Sequence, residues 1–297
     1  MTDPSTDDDW TIHALNIHGA FFERWCRHVI AKTPRWRVKH TNKPVGWEHR
    51  HESSLDVRAD LTVDHHLVSL LIECKKHNPD FIDWIFLPKP STDPAYPLTI
   101  SQLRWAQRGT QWNVVTKNAA LPWTSQIADE ARETRGDYLK HKGGNKTKTA
   151  NSSISETAMQ VAVATKWIAH EEERNGNALG TMVPTPTPAH RYHHIIPVIV
   201  TTAQLHLCRF DPSDINPATG ELPWDKAELT SVPHLRFEYP MPLSIQGYPP
   251  LEEIAPTVMD GRIDRLQRLQ IVVVNSMALQ GFLNDFDLEP NHAYHLM

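Results

Sequence analysis

The chain has 297 residues, 40% hydrophobic and ten of them Trp, which is ample for one large domain or two modest ones and excludes a wholly disordered polypeptide. A formal charge of −5 leaves nucleic-acid binding open, because binding follows a local basic surface rather than the total. Three scattered cysteines (Cys26, Cys74, Cys208) argue against a disulfide framework or zinc ribbon, no apolar run reaches the ~18 residues of a membrane span, and the acidic start is the opposite of a signal peptide, so the expectation is a cytoplasmic protein with no membrane partner.

Residues 1–10 read as a disordered acidic tail, and 11–297 as a single domain. Leu15, Phe22, Cys26, Val29 and Ile30 follow a helical period, predicting a helix over 13–32 that Pro34 closes. Trp36, Val38 and His40 alternate with Arg37 and Lys39, as in a strand with one basic face. Glu48 to Ser54 reads as a polar loop. Leu55–Val63 and Leu67–Lys75 form a predicted hairpin with His65-His66 as its turn. Pro79, Pro88, Pro90 and Pro94 predict an irregular segment around Phe81, Trp84 and Phe86. Residues 132–153 are a basic, polar loop, and Thr157–Glu172 a helix. Ile195–Val200 and Leu205–Phe210 are strands, Asp211–Trp224 a long loop, Ile271–Val274 a buried strand and Ser276–Leu283 a short terminal helix. This order predicts an α/β or mixed α+β layer structure around one central mixed β-sheet flanked by helices.

The segment from Leu67 to Lys75, LVSLLIECK, carries the chemistry. Side chains alternate across a strand. Val68, Leu70, Ile72 and Cys74 share one apolar face, and Leu67, Ser69, Leu71, Glu73 and Lys75 share the other. An acid and a base at i and i+2 on a doubly buried strand are costly unless paired or bound to an ion. They suit metal-assisted hydrolysis, in which a carboxylate holds a divalent cation and an ammonium assists the attacking water. A second carboxylate comes from the partner strand. With His65-His66 as the turn, Asp60 falls opposite Leu71 and Asp56 opposite Lys75, both on the face of Glu73. A turn one residue longer or shorter moves both away.

Asp60, twelve intervening residues and Glu73-Cys74-Lys75 resemble the signature of the PD-(D/E)xK nucleases, a superfamily that includes restriction endonucleases, Holliday-junction resolvases and RecB-type nuclease domains. Ala59 stands where the signature has Pro, a common departure. The resemblance is firm over residues 13–87. Residues 195–210 and 270–283 look more weakly like parts of Mrr-type proteins and would form a C-terminal elaboration over 190–297. It implies a restriction-endonuclease-like core and a Mg2+- or Mn2+-dependent endonuclease acting on DNA, with RNA left open. Asp60 and Glu73 would hold the metal together with the backbone carbonyl of Cys74, and Lys75 would act on the water. Glu23, on the upstream helix, would serve a second metal or orient the first. The family spacing favours Asp60 over Asp56. Restriction or anti-phage defence is the implied setting, with DNA repair as an alternative. A homodimer is expected for cutting two strands, and, with no GxxxxGK[ST] motif in the chain, any ATPase would be a separate partner. The rival expectation is a catalytically silent binding or assembly protein on the same fold.

Among the other candidates, Lys140, Lys142, Lys146 and Lys148 of the basic loop are expected to contact phosphates, or else to solubilise. Gln160 and Lys166 read as an exposed helix face. His190, His193, His194, His49 and His51 lack zinc-site spacing. Cys74 reads as a core residue.

Overall fold

The computed structural model describes residues 19–47, 50–64, 66–77, 83–90, 99–107, 111–119, 127–134, 153–179, 192–242 and 268–286. The acidic tail and the basic loop lysines at 140, 142, 146 and 148 lie outside them. Twelve strands make one mixed sheet: β1 (Trp36–Trp47), β2 (Arg50–Val63), β3 (His66–Lys75), β4 (Asp83–Pro88), β5 (Thr99–Gln107), β6 (Gln111–Ala119), β7 (Ile127–Thr134), β8 (Tyr192–Thr201), β9 (Gln204–Arg209), β10 (Glu228–Val232), β11 (His234–Pro240) and β12 (Arg268–Asn275). Among the described residues the α-helices are α1 (Ala20–Lys32), α2 (Ser153–Leu179) and α3 (Leu279–Asn284). The class is mixed α+β, as the element order implies.

The strand order is β1-β2-β3-β8-β12-β11-β7-β4-β9-β10, with the β5–β6 hairpin branching from β8. β3, β8 and β12 run parallel at the centre. Their sequences, LVSLLIEC, IIPVIV and IVVV, are almost wholly apolar because both faces are covered, Ser69 and Glu73 being the exceptions. Pro197 has no N–H to give a ladder. It lies between the last residue of β8 paired with β5 (Ile195) and the first paired with β12 (Val198), where the neighbour on that side changes.

Two cores flank this sheet. On one face α1 and α3 cover Val57, Ala59, Leu70, Ile72, Val198 and Val272, with Cys26, Val29 and Ile30 supplied by α1. Burying an aliphatic side chain of this kind contributes about 1.5–3 kcal/mol. The Trp36 indole N–H donates to the Leu283 carbonyl at 3.0 Å and ties β1 to α3. On the other face α2 covers Leu71, Ile195, Ile199, Ile271 and Val273.

Three expectations need correction. Residues 50–54 are strand rather than loop, because they pair with Pro44–Trp47 on the edge strand. The segment around Trp84 is not irregular: it forms β4, in which Trp84 and Phe86 at i and i+2 bury completely while Pro88 ends the strand. Gln160 and Lys166 do not form an exposed face. Gln160 is half-buried and Lys166 fully buried, because α2 packs against strands β1, β2, β3, β6 and β8. The predicted helix over 157–172 accordingly extends to 153–179. Among the described residues, no helix is long and apolar enough to cross a membrane.

Candidate active site

α1 starts at Gly19, whose φ of +76° is a left-handed conformation that glycine adopts without strain. A side chain there would meet Lys76, so the helix start abuts the end of β3. The Glu23 N–H donates to the Gly19 carbonyl, which fixes Glu23 in the first turn. Partial burial raises its carboxyl pKa.

The β2–β3 register is shifted by two residues from the expected one. The last pair before the turn is Val63 with His66, and Asp64 takes φ +50°. An acid tolerates that left-handed backbone better than the β-branched residue preceding it. Because the shift is even, the faces are preserved. The neighbours change: Asp60 lies opposite Ser69, and Val57 opposite Ile72. The regular ladder stops there, and the Asp56 carboxylate accepts the Cys74 N–H at 2.7 Å.

Alternation breaks at the same place. Leu55 belongs to the core under α2, and Val57 to the core under α1. Lys43, cross-strand from Leu55, reaches Glu171 and the ring of Trp167 on α2. Arg58, three residues beyond Leu55, reaches Glu172 on the same helix. Such a change of face between Leu55 and Arg58 requires a kink, and Asn42 on the neighbouring strand takes φ +48°. The kink turns Asp56 toward α1, where Ala20, Glu23, Arg24, Arg27, Asn42, Asp56 and Val57 line a cavity of about 180 Å3.

Asp56 and Glu73 are both buried, at 9% and 8% exposure, and Lys75 is half-buried at the strand end. Burial pushes the Asp56 carboxyl up to about 7, against the pull of the Cys74 N–H; Glu23 raises it further and Lys75 lowers it. Glu73 is pushed well above the usual carboxylate range by burial first, then by Asp56, with Lys75 opposing. Glu73 Oε2 is buried with no hydrogen-bond partner. The fold thus brings Glu23, Asp56, Glu73 and Lys75 into one electrostatic neighbourhood.

Asp60 stands apart. Four ladder steps separate its partner Ser69 from Glu73, about 13 Å along a strand. Its Oδ1 accepts from Arg58 Nε at 3.0 Å and from Ser69 Oγ at 2.6 Å. Ser69 also bonds His193 Nε2 at 2.8 Å, and Arg58 bonds Glu172. Asp60 therefore belongs to a satisfied polar network under α2, whereas Asp56 is the β2 acid that lies at the level of Cys74.

The histidines split between roles. His193 joins that network, and His66 Nδ1 meets His194 Nε2 at 3.0 Å in a stacked buried pair. His49 and His190 lie outside the described residues, as does the side chain of His51. Among the described residues, no three His, Cys, Asp or Glu side chains stand close enough to enclose an ion. Cys74 is buried, and its thiol hydrogen-bonds with Cys26.

Sequence reading missed Arg24 and Arg27. The signal was present for Arg27, four residues after Glu23 and so on the same face of the helix; Arg24, one residue on, gave none. No family model, curated protein or solved structure matches the chain.

Proposed function

We propose that this chain is a divalent-metal-dependent nuclease of the PD-(D/E)xK type that hydrolyses phosphodiester bonds in DNA. The observation that carries the reading is Glu73 Oε2, a buried carboxylate oxygen with no hydrogen-bond partner, beside a second buried carboxylate on Asp56. Such a pair is strained by mutual repulsion and desolvation. A cation between the two relieves both. Mg2+ is commonly held by one or two protein carboxylates, with waters and substrate phosphate completing its shell, so this pair is a sufficient protein contribution.

Asp56 and Glu73 would hold the ion, with the Cys74 backbone carbonyl as the third protein ligand. When bound, the ion supplies Lewis-acid polarisation of the phosphate and offsets its charge. Asp56 is held in place by the Cys74 N–H. Lys75 lies two residues beyond Glu73, where its ammonium orients the attacking water and stabilises charge developing on the phosphoryl oxygens. Glu23 is a partly exposed carboxylate with a raised pKa, suited to taking up a proton from that water or to holding a second ion. Because both buried acids are protonated more readily than usual, cation and protons compete, and metal affinity rises with pH through about 7.

The test is cleavage of supercoiled plasmid and of circular single-stranded DNA with Mg2+, Mn2+ or EDTA. Wild-type protein is expected to cut with metal only, and Glu73→Ala and Lys75→Ala to lose cutting while keeping the wild-type circular dichroism spectrum. Full activity in folded Lys75→Ala, or cutting in EDTA, would sink the assignment. A folded wild-type protein that never cuts yet binds DNA would favour a silent binding module on the same fold.

A further inference from the structure

A second cavity, of about 330 Å3, adjoins the one that holds the acids. It is lined by Arg24, Arg27, His28, Ala31 and Val38. Arg24 and Arg27 line both. The two therefore form one trough between α1 and the edge strand β1, with Glu23 and Asp56 at one end and His28, Ala31 and Val38 at the other. Along the helix axis Arg27 lies about 6 Å beyond Glu23, and Ala31 about 6 Å further, at ~1.5 Å per residue.

The lining itself carries Arg24 and Arg27 against Glu23 and Asp56. The surrounding residues 19–43 are basic, with seven Lys or Arg and a single acid, Glu23, in a chain of formal charge −5, although Lys43 among them turns to Glu171. Arg24, Arg27 and His28 on α1, and Arg37 and Lys39 on β1, are exposed. Two guanidinium groups on the lining of an acid-containing cavity would ordinarily pair with those acids. Here neither Arg24 nor Arg27 forms an ion pair with a described residue: the ion pairs of this region are Lys43 with Glu171 and Arg58 with Asp60 and Glu172. Exposed, fork-shaped donors left free beside a carboxylate pair match an anion that presents repeated charges along a line.

We infer that the α1–β1 trough is the track of one polynucleotide strand, with Arg24 and Arg27 gripping the phosphates next to the one held at Asp56. This rests on the nuclease reading for the phosphate at the acids. The grip of the arginines on the backbone can be measured separately. The contacts its arginines offer are to phosphate, so they position the strand without reading its sequence.

The experiment measures anisotropy of a fluorescein-labelled oligothymidylate with the full chain in EDTA over a range of salt concentrations. Arg24→Gln/Arg27→Gln is expected to weaken binding about tenfold and to reduce the log–log salt slope by about 1.4, two single-strand phosphate contacts at ~0.7 each. Arg24→Lys/Arg27→Lys should keep the slope, and Lys226→Gln, an exposed cation beside Asp214, should change nothing. Unchanged affinity and slope in the folded glutamine variant, or no binding by wild type, would overturn the track. Weakened binding in that variant, without cleavage by wild type under any metal, keeps the track and removes the nuclease reading. Cleavage by a variant with unaltered binding does the reverse.

Discussion

Asp56→Asn separates the charge of the site from its shape. Asn keeps an oxygen that can accept the Cys74 N–H and nearly the same volume, and loses only the ionisable group. In the metal-free fold Asp56 titrates at about 7, against 3.8 ordinarily. A carboxyl whose folded pKa is raised favours the fold when protonated: its stability is fully present below 3.8 and is lost as pH rises through about 7. At 1.36 kcal/mol per unit, the ionised group costs the metal-free fold about 4 kcal/mol above pH 7. The hydrogen bond from the Cys74 N–H to the ionised group is already contained in that raised value. The variant should therefore be more stable than wild type by about 4 kcal/mol at pH 8 in EDTA, or roughly 7–13 °C in melting temperature. The advantage should shrink steadily below pH 7 and vanish near pH 4. Mg2+ should raise the melting temperature of wild type at pH 8 and leave the variant unmoved. Thermal unfolding followed by circular dichroism over this pH range decides it. A difference independent of pH, or a variant less stable than wild type at pH 8, would refute the picture of a strained acid pair awaiting a cation.

The two candidate acids of β2 should part company in a cleavage assay: Asp56→Ala removes metal-dependent cutting, whereas Asp60→Ala retains it. Asp60→Ala instead loses about 1–3 kcal/mol in urea unfolding, because Ser69 and the buried Arg58 lose an acceptor; loss of cutting in a folded Asp60→Ala protein would restore Asp60 to the site. Glu238 is fully buried and receives Lys89, itself 7% exposed, and Arg268. Glu238→Ala should cost about 3–5 kcal/mol in the same unfolding measurement by stranding a buried ammonium, and a loss below about 1 kcal/mol would show that the pair is hydrated.

Much of the site was legible in nine consecutive residues. Continuous apolar character before Glu73 required a strand covered on both faces, and a covered strand makes an i, i+2 acid and base conspicuous. Cys74 as a core residue and Glu23 on a preceding helix followed from the same periodicity. The choice between Asp56 and Asp60 was not legible. Both parities survive a two-residue slip, so the hydrophobic pattern constrains the face and leaves the register free. The register is set by Asp64 accepting a positive φ, and the reach of Asp56 by a break in alternation opposite Asn42. Neither has a distinctive sequence signature.

Local periodicity thus determined what sequence neighbours share: the hairpin, the helix bearing Glu23, and the burial of Glu73 beside Lys75. Only the tertiary structure decided what distant segments share. It turned the Trp84 segment into a strand by giving it β7 and β9 as partners, and buried Lys166 by packing α2 against several strands of the sheet. It also placed Arg24 and Arg27 along the path from the acids to β1. The physical reason is one of range: alternation and helical period are imposed within a few residues by backbone geometry. A side chain's neighbours across the sheet depend on which strands, far apart in the chain, pair to satisfy their backbone hydrogen bonds.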